Sequence, residues 1–205
     1  MLKSLFDAVM ERRARQLVEQ VSGWLPNQGP VLDLGSGTGH TSARVERELK
    51  LEVVTADVSD IHLVGPPPVL IADGSLPFAE GTFSAALLVF MLHYPSDPRG
   101  LLKEVARVTR GPIILVQSLH SGRLGYGWLR VREFLWTYVA FHVSKFIGYV
   151  SPGARFTMHA RRFYTAEALR RELENAGLRV RSQRERAVLP GRALVVAGWV
   201  VERDV

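Results

Sequence analysis

The stretch Val31-Leu32-Asp33-Leu34-Gly35-Ser36-Gly37-Thr38-Gly39 constrains this chain more than any other. Pro30–Leu34 reads as a short strand of the kind buried in a parallel sheet. Three alternating glycines follow at once, and 40–49 then reads as a helix with Thr41 or Ser42 near its start. Strand, glycine turn and helix in that order let the backbone approach a ligand without Cβ interference and aim free N–H groups at it. A pyrophosphate-binding turn would place its third glycine one residue later, where His40 stands. It would also not favour a carboxylate, Asp33, two residues before the first glycine. A phosphate-free ligand bearing an amino acid, whose ammonium group suits a carboxylate, matches the pattern better.

The same alternation runs along the chain. Residues 2–22 form an amphipathic pattern with Leu5, Phe6, Val9, Leu17, Val18 and Val21 at helical spacing, stopped by Gly23 and Pro26. A second strand over 51–56 ends at Asp57, and a third over 69–72 ends at Asp73-Gly74. Between them Gly65-Pro66-Pro67-Pro68 forbids a helix. A fourth strand is expected over 82–90, a helix over 98–108 and a fifth strand over 112–118. Thr165 is the expected N-cap of a helix that Gly177 stops. Strands over 178–185 and 193–202 complete the pattern, the second following Pro190-Gly191 in a hairpin-like return. Strand and helix in alternation predict a doubly wound α/β sheet with ligands at the carboxyl ends of its strands. A chain of 205 residues suits one such domain.

Asp33–Gly39 is close to the D-x-G-x-G-x-G cofactor loop of the class I S-adenosylmethionine-dependent methyltransferases, and the chain resembles their type 11 subgroup. The resemblance covers roughly 28–118 well and 163–178 moderately. It implies a Rossmann-like, seven-stranded, mainly parallel sheet whose last strand is antiparallel, with helices on both faces and a helical lid insert over about 120–162. It implies S-adenosylmethionine as cofactor and S-adenosylhomocysteine as product. Asp33 is then expected to face the methionine amino group, with Gly35, Ser36, Gly37 and Gly39 forming the cradle. Asp57, whose position also suits a carboxylate accepting both ribose hydroxyls, would bind the ribose, and Val58 would flank the adenine. Asp73 with Gly74 would receive the adenine amino group, in register with Leu76-Pro77-Phe78. Thr82–Tyr94 resembles the fourth-strand segment, which sets Phe90 and the loop to His93 beside the methionine part. The chain departs from the family between Asp57 and Asp73, where a three-proline segment replaces the usual helix. That leaves the adenine pocket either more open or closed by another segment.

A sulfonium leaving group is neutral, so methyl transfer needs in-line positioning and dryness more than acid–base machinery. His93, after the fourth strand, and His120, after the fifth, are the candidate catalytic residues, and Tyr94 and Tyr126 are candidates to position a hydroxyl. No metal site is expected, since the chain has no cysteine and no close set of histidines and carboxylates. The insert is aromatic and basic, with Phe134–Tyr149 apolar on nearly all sides of a helix. Such a helix must be covered by its own domain, by a second copy in a homodimer, by an apolar substrate or by a membrane surface through 128–150. Glycines 122, 125, 127 and 153 are candidate hinges for lid motion.

A small, apolar or aromatic acceptor is the expected substrate. The net charge of +6 comes with no nucleic-acid-binding motif, so RNA is a partner on charge alone and is not expected. The N-terminus lacks the apolar core of a signal peptide, and a cytoplasmic protein is expected. The principal alternative is a catalytically silent cofactor-binding subunit that supports a partner protein; a nicotinamide oxidoreductase is disfavoured by the loop spacing.

Overall fold

The structure, a computed structural model, describes residues 2–72, 74–135, 138, 141–146, 159–188 and 194–203. Seven strands form one sheet: β1 (Val31–Leu34), β2 (Val53–Asp57), β3 (Val69–Leu70), β4 (Ala85–Val89), β5 (Ile113–His120), β6 (Leu178–Ala187) and β7 (Leu194–Arg203). Their order is β3-β2-β1-β4-β5-β7-β6. Strands β1 to β5 pair in parallel, and β7 runs antiparallel to both neighbours. The helices are α1 (Leu2–Val21), α2 (His40–Leu49), α3 (Pro98–Val108), α4 (Gly122–Phe134), α5 (Phe141–Phe146) and α6 (Ala166–Asn175).

After β1 the chain builds outward through β2 and β3, then returns to lay β4 on the other side of β1. The carboxyl ends of β1 and β4 therefore flank the point where the winding reverses, which is where such sheets open a crevice. Successive side chains of a strand point to opposite faces. Leu32 and Leu34 join the core on the face that holds α3 and α6, with Leu102, Val105, Leu169 and Leu173. Val31 joins Leu17, Val18, Val21 and Val45 of α1 and α2 on the other face. Asp33 shares the parity of Val31, so its carboxylate emerges toward α2.

Local rules account for the helix ends. The Asp97 side chain accepts from Gly100 N and Pro98 occupies the first turn of α3. Thr165 caps α6 by accepting from Ala168 N at 3.1 Å, and Gly177 follows that helix at φ +76°.

Three expectations need adjustment. The third strand is only Val69–Leu70, paired through Ala56↔Val69 and Asp57↔Leu70, and both its residues are exposed. An edge strand after three prolines has neither a second neighbour nor a covering helix to extend it. The fourth strand begins at Ala85, with Phe83 contributing a separate bridge to Thr109. The fifth runs on to His120 because β7 pairs with it along its whole length. Much of the insert, 147–158 in particular, lies outside the described residues, as does Gly153 with it; its described parts include α4 and α5. No helix among the described residues is long and apolar enough to cross a membrane.

Leu102 is fully buried between α3 and the sheet, whereas Leu70 on β3 is 63% exposed. Leu102→Ala is expected to cost about 2–5 kcal/mol in urea unfolding, and Leu70→Ala to stay within about 0.5 kcal/mol.

Candidate functional site

A cavity of about 190 Å³ opens at the carboxyl ends of β1, β2 and β4. Its floor is Asp33 with the loop Leu34–Thr38; Asp57, Val58 and Ser59 form one wall, and Val89, Phe90, Met91 and Tyr94 another. Met10, Arg13, Ala14 and Leu17 of α1 close it from above, beside His40 and Thr41 of α2.

Asp33 is almost fully buried. Its Oδ2 accepts the Ser42 hydroxyl of α2 at 2.5 Å. Burial pushes its carboxyl up to about 6, against the pull of the Ser42 hydrogen bond, and the nearby Asp57 adds to the rise. At neutral pH the group is still mainly ionised and forms no ion pair among the described residues, so an ammonium group is the chemistry the position favours. Asp57, at the end of β2, accepts from Gly37 N at 2.9 Å through Oδ2 and from Ser59 N at 3.2 Å through Oδ1. Burial raises its pKa, while these backbone donors oppose the rise. Two oxygens offer about four acceptor directions, so Asp57 organises the loop and keeps capacity for a pair of hydroxyls.

The glycine loop is held from both sides. Gly35 N donates to Ala56 O at 2.8 Å, and a Cβ on Gly35 would stand 2.9 Å from Met91 Cβ. The helixless segment after Asp57 folds back over the far end of the loop. Leu63 N and Val64 N donate to Thr38 O at 3.1 and 3.3 Å. His62 Nδ1 donates to the Pro66 carbonyl at 2.6 Å, so its Nε2 accepts the Ser36 hydroxyl at 2.8 Å. Gly39 sits at φ +80°, where a Cβ would collide with the Val64 carbonyl oxygen. Segment 61–66 thus packs over the far end of the glycine loop. Ile61 and Ile71 supply apolar lining there.

At the other end, Phe90 adopts φ +55°, an uncommon conformation for an aromatic residue. Its N–H donates to Val116 O at 2.7 Å, and the Arg13 guanidinium lies 5.0 Å from its ring centroid. Tyr94 lines the cavity and donates to Glu133 Oε2 of α4 at 3.4 Å. Burial, then Glu133, raises the Tyr94 pKa well above its ordinary value, so the phenol stays protonated.

The cavity thus gathers Asp33, Gly35, Ser36, Gly37, Asp57, Val58 and Phe90. Gly39 supports the loop from behind and Gly74, at φ +87°, is not among the lining residues. Asp73 lies outside the described residues. Neither His93 nor His120 lines the cavity. His93 is buried beneath the 161–164 strand-like segment: its Nδ1 donates to Arg162 O at 2.9 Å and its own carbonyl accepts from Arg161 N at 2.8 Å. Burial pushes it down to about 4, and it is neutral. His120 packs edge-on against Tyr126 at 5.4 Å, and Tyr126 against Phe163 at 5.8 Å. Among the described residues no group of three His, Asp or Glu is placed to hold a metal ion. Sequence reasoning missed the α1 contribution, because an apolar helical face carries no mark of whether it covers a core or a cavity. It also missed His62, whose role depends on a chain reversal that three prolines permit but do not announce.

The donors present fit S-adenosylmethionine: a buried carboxylate for its ammonium, a glycine cradle without Cβ interference, a second carboxylate for its ribose and apolar walls beyond. Residues 6–183 match the family model described as a methyltransferase domain. The chain is 35% identical over 118 residues to the demethylmenaquinone methyltransferase of Renibacterium salmoninarum, covering 53% of this chain and 49% of that protein. The chain therefore spans about half the length of this curated relative. Among solved structures it is similar to a SAM-dependent methyltransferase from Methanosarcina mazei, at 16% identity and a TM-score of 0.60, covering 89% of this chain and 96% of that one. It is also similar to the geranyl diphosphate C-methyltransferase of Streptomyces coelicolor, in complex with Mg2+, geranyl diphosphate and S-adenosylhomocysteine. There the identity is 10% and the TM-score 0.59, covering 94% of this chain and 80% of that one. At such identities the solved structures speak for the fold alone. With the family model matched over most of its length, the chain belongs to the methyltransferase domain family.

Proposed function

We propose that the chain transfers a methyl group from S-adenosylmethionine to a small, apolar or aromatic acceptor of the quinol type. The observation that supports this most is the single cavity joining Asp33, the glycine loop and Asp57 to the Phe90–Tyr94 wall. The name of the demethylmenaquinone relative supports the acceptor class. The cofactor supplies an electrophilic methyl group on a sulfonium. This chain supplies the rest by holding and drying: Asp33 holds the ammonium, Asp57 the ribose hydroxyls, and Val58, Ile61 and Ile71 exclude water around the base. Phe90 and Met91 wall the methionine side, and Arg13 over Phe90 favours an acceptor oxygen that bears negative charge. Tyr94, held protonated and with its O–H donated to Glu133, positions the acceptor by accepting a hydrogen bond at its phenolic oxygen. His93 we assign to positioning: it pins 161–164 onto the loop after β4. His120 packs against Tyr126, and since neither lines the cavity we give it no part in the transfer.

Calorimetric titration with S-adenosylhomocysteine is expected to show binding that Asp57→Ala weakens about 10- to 100-fold, the loss of charge-assisted hydrogen bonds. Absence of binding by the folded protein would overturn the reading. Binding without methyl transfer to any quinol or naphthol would favour a silent cofactor-binding subunit.

The pH dependence of stability separates two groups. Asp33 titrates at about 6 in the folded chain against an ordinary 3.8, so the folded state binds more protons in that window. Its contribution is present below about pH 4 and is lost as pH rises through 6. His93 titrates at about 4 against an ordinary 6.5, so stability from it is lost as pH falls from 6.5 through 4. The two oppose each other. Asp33→Asn is expected to unmask a steeper rise of the urea midpoint from pH 4 to 6.5 than wild type shows; equal slopes would contradict the assignment.

A further inference from the structure

Helix α4 has two faces of different chemistry. Gly125 and Leu129 are buried, Arg132 donates to Ser118 Oγ of β5 at 3.1 Å, and Glu133 meets Tyr94 at 3.4 Å. These residues face the sheet and the cavity. The opposite face, with the C-cap Leu135, is apolar and open to solvent: Leu124 is 82% exposed, Trp128 48%, Val131 50% and Leu135 50%. Their spacing of four, three and four residues confines the stripe to an arc of about 60° at 100° per residue. Leu135 continues the right-handed helical backbone at φ −61°, ψ −39°. A stripe this long is not the scattered apolar exposure of an ordinary surface.

The charges beside the stripe are of one sign. Arg123 and Arg130 are exposed along its flank, and no ion pair among the described residues engages either. The one acid of α4, Glu133, is turned inward to Tyr94. On α5, Phe146 is 93% exposed next to Lys145. An apolar stripe with Trp128 in it, flanked by arginine alone on a chain of net charge +6, complements the headgroup boundary of an anionic bilayer.

We infer that the outer face of α4 docks on an anionic lipid surface, and that this docking sets the cavity mouth against the membrane. The link to the cavity is direct, because the residue of α4 behind the docking face, Glu133, bonds the cavity residue Tyr94. A lipid-borne acceptor then passes from bilayer to cavity without crossing water; this last step rests on the proposed methyl transfer, whereas the docking does not.

Co-sedimentation of the full chain with vesicles tests it. Phosphatidylcholine vesicles containing about 30% phosphatidylglycerol are expected to bind the chain, and phosphatidylcholine alone to bind it far less. Arg123→Gln with Arg130→Gln is expected to weaken binding roughly 25-fold, about fivefold per charge. Leu124→Glu with Trp128→Glu is expected to weaken it at least about tenfold. Circular dichroism and S-adenosylhomocysteine titration are expected to stay unchanged in both variants, since none of the four side chains packs in the core or the cavity. No binding by the folded wild type, or equal binding by all variants, overturns the inference. So does a wild-type dimer, without vesicle binding, that Leu124→Glu with Trp128→Glu dissociates: the face is then a contact between copies. Vesicle binding by a chain that fails to bind S-adenosylhomocysteine would leave the docking standing and remove the methyl-transfer reading.

Discussion

A carboxylate held almost out of water is the constraint on which the site depends. Asp33 is the penultimate residue of a strand whose four residues are all buried, and the parity of that strand turns it toward α2 rather than into the apolar layer beneath. Ser42 of α2 meets it at 2.5 Å. The hydroxyl therefore ties the first turn of α2 to the end of β1, and the glycine loop between them has one path left. A buried carboxylate with a single strong donor is costly for the chain alone and becomes favourable once a cation arrives. On the proposed reading, that cation is the ammonium end of the cofactor.

The rest of the cradle follows from how few residues separate Asp57 from β3. This chain has three prolines and a two-residue edge strand, so its backbone turns back and bonds the loop directly, through Leu63 and Val64 to Thr38 and through His62 to Ser36. Gly39 is glycine for that reason as much as for its positive φ: the Val64 carbonyl occupies the space of a side chain. The shortened connection and the third glycine of the loop are one device. At the opposite wall α4 does two jobs from two faces, orienting Tyr94 from within and presenting an apolar, basic stripe outward.

What could be read from the sequence was local. The strand–glycine–helix unit, the bounds of α2 and α3, the Thr165 cap and the return of β7 all rest on neighbours within a few residues, and each is where the pattern put it. The strands whose extent needed most adjustment, β3, β4 and β5, pair with partners distant in the chain. The same divide runs through the site. Asp33 and Asp57 announce themselves by standing at strand ends, and both line the cavity. His93 also stands after a strand, yet its ring is drawn under 161–164 by a hydrogen bond to a residue 69 positions away. Met10 and Arg13 line the cavity from a helix whose sequence pattern is that of any amphipathic helix.

The central claim, that Asp33 receives the ammonium group of the cofactor, is tested most directly by counting protons. Calorimetric titration with S-adenosylhomocysteine in buffers of different ionisation enthalpy gives the protons exchanged on binding. The account predicts release of about half a proton per ligand near pH 6, where Asp33 is half protonated before binding, vanishing near pH 8 and absent in Asp33→Asn. Binding with no release near pH 6, or with the same release in Asp33→Asn, would contradict it.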